Sequence, residues 1–248
     1  MSTVAYENLN ERLGQVIDLQ AAIALLNWDQ EVYMPTKGAA ARGKQLATLS
    51  TLAHRLFTDP ATESLFGELA AQPASLNPDQ ACLVREARYD YDRAVRLPEA
   101  FVQQFAEAQS RAYHAWVKAR EETDFKQFLP HLETLVGLLR QKADYYGYEG
   151  SPYNALLEEF ERGMRVETLQ PIFTELAARQ SALVKRILQA PEPPGTNWLN
   201  QVWEEQAQWD VTLQVLKDMG FDFEAGRQDK SVHPFTTNFD LYDVRVTT

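Results

Sequence analysis

Apolar residues return every three or four positions through most of this chain, and near residue 220 that spacing drops to two. The change constrains the fold sharply. A period near 3.6 describes helices that bury one stripe, whereas a period of two describes strands whose side chains alternate between faces. Over residues 5–26, Leu9, Leu13, Val16, Leu19, Ile23 and Leu26 form one stripe of an amphipathic helix. Met34-Pro35 is expected to end it, since proline cannot continue an interior turn.

The next helices follow from the same spacing and from their punctuation. A helix over about 37–57 carries Leu46, Leu49, Ala53 and Leu56 on its buried side. Asp59-Pro60 and Asn77-Pro78 each pair a polar N-cap with a first-turn proline, and Leu97-Pro98 offers the proline without the cap. From Pro98, the stripe Phe101, Phe105, Ala108, Ala112 and Ala115 narrows from aromatic to alanine and so permits close helix packing. Its neighbour carries Phe125, Phe128, Leu132, Leu135, Leu139 and Tyr146, with a break or fresh start expected at Pro130, and the two read as an antiparallel hairpin. Gly147 and Ser151-Pro152 mark a stop and a new start. Leu169, Ile172, Leu176, Leu183 and Ile187 mark a further helix, ended by the proline-rich break at 191–195. Trp198, Val202, Trp209, Leu213 and Leu216 then read as one last helix. The expected fold is all-α, mainly an antiparallel helical bundle, with a short C-terminal β-hairpin or strand. Residues 1–219 form the helical region and 220–248 begin a cleft region, together one incomplete domain.

In the run Asp243-Val244-Arg245-Val246-Thr247 the valines share one side of an extended chain, and the acid, the guanidinium and the hydroxyl share the other. Two readings stay open. One is an edge strand with a solvated polar face; the other is a polar face turned to a cleft, with Arg245 suited to a carboxylate. Only one earlier extended stretch, 235–241, is available as a pairing partner, and an isolated two-stranded hairpin is marginal in water. The chain is therefore expected to be a fragment or the product of a shortened reading frame.

Composition serves mainly to exclude. A formal charge of -11 without an offsetting basic cluster argues against nucleic-acid and anionic-membrane partners. A single cysteine, Cys82, rules out an internal disulfide framework and sits where a small core residue is expected. No secretory signal and no bilayer-length apolar run is present, so a cytoplasmic location is expected. The four histidines, His54, His114, His131 and His233, include no pair at the i, i+4 spacing that puts two imidazoles on one helical face for zinc. His114 and His131 are expected at the surface. Neither a Gly-rich phosphate loop nor a Gly-x-Ser-x-Gly elbow occurs. Glu158 and Glu161 stand one turn apart without a histidine and read as a solvated face.

Several short motifs occur in order: Trp28-Asp29-Gln30-Glu31, Met34-Pro35, Gly38 and Arg42; Tyr153 through Gly163-Met164; Gly220-Phe221-Asp222-Phe223 and Gly226-Arg227-Gln228-Asp229; His233-Pro234-Phe235; and Asp243-x-Arg245-x-Thr247. Together they resemble the N-terminal half of the carboxypeptidase Taq family of metallocarboxypeptidases, the thermostable carboxypeptidase 1 group. Phe160 and Arg162 stand where the family has tyrosine and proline. The resemblance implies a largely helical, zincin-like architecture when complete, usually dimeric. It also implies release of C-terminal residues from peptides by water activated on zinc or a similar divalent metal, with a glutamate as general base. The His-Glu-x-x-His helix that does this chemistry would follow Thr248, so no catalytic or metal-binding residue is assigned in this chain, which is expected to be inactive alone. The early motif reads as architectural. Substrate-binding or wall positions implied by the resemblance are His233, Pro234, Phe235, Asp243, Arg245 and Thr247. His233 and Arg245 would lie nearest the peptide, with Asp243 either orienting Arg245 or serving as hairpin scaffold. The alternative is a stand-alone helical binding module that has shed catalysis.

Overall fold

A computed structural model describes residues 2–190 and 195–248. Residues 191–194, most of the proline-rich break, lie outside the described residues. The chain divides into two compact units, Met1–Tyr146 with Phe223–Thr248, and Gly147–Asp222.

The first unit holds six helices: α1 (Ser2–Val32), α2 (Ala39–Phe57), α3 (Pro60–Ala70), α4 (Pro78–Ala94), α5 (Glu99–Glu121) and α6 (Phe125–Tyr146). The proposed caps operate at the two polar sites. Asp59 accepts the Ala61 N–H, and Asn77 forms a reciprocal capping box with Gln80. Leu9 of α1, Phe66 and Leu69 of α3 and Tyr91 of α4 make one core, with the Phe66 and Tyr91 rings 5.4 Å apart. Phe101 and Ala108 of α5 pack with Leu138 of α6 in a second core. Between them α2 crosses α5 closely. A Cβ added at Gly43 would stand 3.4 Å from Ser110 Oγ, so small residues set that approach.

Pro130 does not break α6, which runs through it from Phe125 to Tyr146. A proline there removes one backbone bond in the second turn, and packing along α5 outweighs that local cost. Pro98 is the N-cap of α5 rather than a first-turn residue. Cys82, expected in the core, is exposed on α4, where Arg85 donates to its sulfur at 3.3 Å. His114 is no surface histidine: its Nε2 is buried and finds no hydrogen-bond partner among the described residues.

The second unit contains α7 (Tyr153–Leu157), α8 (Val166–Leu188) and α9 (Glu205–Asp218). Buried Asn154 organises its start, donating to the Glu149 carbonyl and to Glu167 while accepting the Val166 N–H. Glu158 receives the Gly163 N–H, so it closes a turn instead of lining a solvated face with Glu161. The last helix begins at Glu205. Trp198 belongs to a short 3-10 turn, and Val202 is fully exposed outside any helix, because residues 201–204 interrupt the pattern that the apolar spacing implied. The stripe of α8 is open: Ile172, Leu176, Leu183 and Ile187 are all exposed.

Three strands close the chain: β1 (Gly226–Asp229), β2 (Thr236–Asp240) and β3 (Asp243–Thr247), in the order β1-β3-β2. The expected β2–β3 hairpin is present and antiparallel, but β3 also pairs in parallel with β1. β3 is thus the central strand, which overturns the edge-strand reading and the premise that β3 has only β2 to pair with. β1 escaped notice because Gly-Arg-Gln-Asp has little intrinsic strand preference; pairing with β3 imposes its conformation.

Candidate active-site wall

Register decides which side chains meet. Arg227 of β1 lies opposite Arg245 of β3, and Thr237 of β2 lies opposite Arg245 on its other side. Paired residues share a face of the sheet, so two guanidiniums stand side by side. That face packs against the end of α1. Buried Trp28 receives both cations, with Arg245 4.9 Å and Arg227 5.7 Å from its ring centroid, and Phe239 lies 5.5 Å from Arg245. The early motif, read as architectural from the sequence, therefore supplies the platform under Arg245. Asp29 and Arg42 brace it: the guanidinium of Arg42 lies 2.5 Å from the Asp29 carboxylate and donates to the Leu26 carbonyl.

The two arginines differ in what they have left to give. Arg227 makes two bonds to buried Asp229, at 2.7 and 2.5 Å, and a third to the Tyr33 hydroxyl at 2.6 Å. Tyr33 in turn donates to Asp229. The bond to Asp229, then burial, raises the Tyr33 hydroxyl above its ordinary value, and the Asp229 bond likewise raises Arg227. This closed cluster ties β1 to the end of α1. Besides its ring contacts, Arg245 pairs among the described residues with the Asp243 carboxylate, at 2.6 Å, and its buried Nε has no hydrogen-bond partner there. A guanidinium has five N–H donors, so most of Arg245's remain unspent.

Thr247 fastens the other wall segment. Its hydroxyl accepts the Phe235 N–H at 2.8 Å and the Ser231 hydroxyl at 2.7 Å, and donates to the Phe235 carbonyl at 3.1 Å. The loop carrying His233 and Pro234 is thus clipped to β3 at Phe235. Both His233 and Pro234 are exposed, with the His233 ring 6.5 Å from Trp116 of α5 in an edge-on arrangement. Arg120, also of α5, donates to the Val232 carbonyl and holds the loop from the far side. Thr247→Val removes these bonds at nearly constant volume and should cost about 1–2 kcal/mol in urea unfolding. An unchanged denaturation midpoint would show that Thr247 does not hold the loop.

His114 also makes the first unit sensitive to pH. Burial, and then the charge of Arg42, lowers its pKa; burial lowers that of His54 too. Below about pH 6.5 the unfolded chain therefore binds protons that the folded chain does not, and stability falls with pH until the folded imidazoles protonate. The urea midpoint should drop between pH 7.5 and pH 5.5, and His114→Phe should flatten that slope. Equal slopes would locate the sensitivity elsewhere.

Three of the motifs, the early one, His233-Pro234-Phe235 and Asp243-x-Arg245-x-Thr247, thus meet within the first unit at Trp28, Arg245 and the clipped loop. A model of the carboxypeptidase Taq (M32) metallopeptidase family matches residues 8–248. The chain belongs to that family. It is 36% identical to thermostable carboxypeptidase 1 of Thermus thermophilus over 255 residues, covering 98% of this chain and 50% of the relative. Carboxypeptidase 1 of Bacillus subtilis is 32% identical over 236 residues, covering 95% of this chain and 47% of that protein. Among solved structures, the BsuCP crystal structure superposes with a TM-score of 0.96 at 31% identity, over 99% of this chain and 49% of that one. The M32 carboxypeptidase from Deinococcus radiodurans R1 gives 0.82 at 33% identity, over 99% and 49%. The chain spans about half the length of the curated relatives it matches.

Members of the M32 family are metallopeptidases, and the residues present here were tested against that requirement. Among the described residues no three histidine, cysteine, aspartate or glutamate side chains gather as a metal site. The acids of the wall are committed to arginines. The metal therefore does not fit these residues, and no step is assigned to it here. No helix among the described residues is long and apolar enough to cross a membrane. The residues that sequence reasoning did not single out for the wall are Tyr33, Arg227 and Asp229. Arg227 and Asp229 belong to the motif Gly226-Arg227-Gln228-Asp229, but their alternation marks a strand face only once β1 is recognised.

Proposed function

We propose that this chain supplies the carboxylate-recognising wall of a peptide-cleaving carboxypeptidase whose hydrolytic centre lies in residues outside it. The observation that carries this reading is Arg245. It is held from below by Trp28 and from one side by Asp243, yet retains free N–H donors in a half-buried setting where a charge-assisted bond to a carboxylate is strong. His233, Pro234 and Phe235 form the adjoining edge, and Thr247 fixes its distance from Arg245. Recognition of a free C-terminal carboxylate is what separates removal of terminal residues from internal cleavage.

Zinc as the metal, a dimeric assembly and a cytoplasmic location complete the proposal, and family membership is their support. The open stripe of α8 favours this reading over a stand-alone module, which would be expected to cover its apolar faces. The test uses this chain joined to the C-terminal half of a family member, beside the chain alone. The joined protein should release the terminal residue from a peptide with a free carboxylate and leave its C-terminal amide intact, and the chain alone should cleave neither. Equal cleavage of acid and amide would refute carboxylate recognition.

A further inference from the structure

A polar cavity lies in the first unit where α1, α2 and α5 meet. Helical spacing builds it: Ile23, Asn27 and Gln30 recur at four and three on α1, Leu46 and Ser50 at four on α2, and Ala106, Gln109 and Tyr113 at three and four on α5. Its volume is about 220 Å³, just below the usual range for drug-sized ligands, so it suits a small one. Gln30 and Ser110 on its lining are joined by a buried 2.8 Å bond, donated by the serine.

The other polar groups of the lining are not paired with one another. Asn27 and Gln109 are exposed, half-buried Ser50 and the Tyr113 hydroxyl make no side-chain hydrogen bond among the described residues, and half-buried Glu31 has neither a hydrogen bond nor a basic partner there. The lining holds one carboxylate, Glu31, and no basic residue; burial raises that carboxyl, and burial together with the Glu31 charge pushes Tyr113 up to about 12.

We propose that this cavity binds a small organic ammonium ion, its N–H donors directed at Glu31 and the surrounding amide and hydroxyl oxygens, and its alkyl stem against Ile23, Leu46 and Ala106. Other ligand classes fit less well. A bound divalent cation takes six or more oxygen ligands with several carboxylates, and here there is one. An anion would meet Glu31, and a neutral alcohol would leave its charge unpaired. Its ligand is opposite in charge to the one the wall would take.

The test is a titration of the 248-residue chain with n-butylammonium chloride by ligand-observed NMR, with sodium chloride matched throughout and n-butanol as the neutral control. Saturable binding of the amine is expected, with the alcohol markedly weaker. Glu31→Gln keeps shape and removes charge, and should weaken the amine at least about tenfold. Ala106→Leu narrows the cavity and should weaken it as well, with unchanged circular dichroism showing that both variants are folded. Absence of saturable binding, equal binding of the alcohol, or a Glu31→Gln protein that binds as wild type would each overturn the proposal.

Discussion

Arg245→Ala, made in this chain joined to the family's C-terminal half, should lower kcat/KM for a free-carboxylate peptide roughly a hundredfold. Truncating one partner of a desolvated charge pair costs about 2–5 kcal/mol, and the lower part of that range applies because the Arg245 side chain keeps 19% of its exposure. The loss should fall on KM more than on kcat if the guanidinium binds substrate and transition state alike. Arg245→Lys preserves the charge but not the planar fork, and should recover only part of the rate. The alanine variant should also lose the preference for acid over amide substrates. A variant that kept this preference would show that Arg245 is a structural cation on Trp28 and that the terminal carboxylate is read elsewhere.

Asp229→Ala should destabilise the first unit by about 3 kcal/mol. Asp229 is 5% exposed and accepts from Arg227 and Tyr33, so its removal leaves a guanidinium and a phenol without their common acceptor. Breaking a buried pair costs about 3–5 kcal/mol, and the lower end applies because Arg227 is 47% exposed and can recover water. Urea unfolding monitored by tryptophan fluorescence measures the change and reports on Trp28 as well. The partner changes should not add: with Asp229 already replaced, Tyr33→Phe should cost little, because the acceptor of its hydroxyl is gone. Full additivity would show that Tyr33 and Asp229 do not act together.

Much of the helical architecture was legible because its causes are local. The stripe from Leu9 to Leu26 and the polar caps at Asp59 and Asn77 act within a turn or two of themselves. Departures arose where a local signal met a larger packing term or lacked one. Pro130 sits inside α6 because the α5 contact outweighs one missing hydrogen bond, and Trp198 and Val202 stay outside α9 although their spacing fits it. The motif residues of the candidate wall could be named from the sequence, but not their surroundings. Arg245 could be assigned to the polar face of a strand; that this face looks onto Trp28 could not.

What the sequence determined by itself, then, is the run of amphipathic helices, the switch to a period of two, and the motifs that place the chain in its family. Tertiary structure alone decided that β3 is central, that β1 exists, that Arg227 stands beside Arg245, and that the His114 Nε2 is buried. The physical reason is distance along the chain. Periodicity and capping are interactions among residues a few positions apart, whereas Tyr33 and Asp229 are separated by 196 positions and Arg120 and Val232 by 112. Such partners are chosen by how helices and strands pack, and only the folded chain brings them within reach of one another.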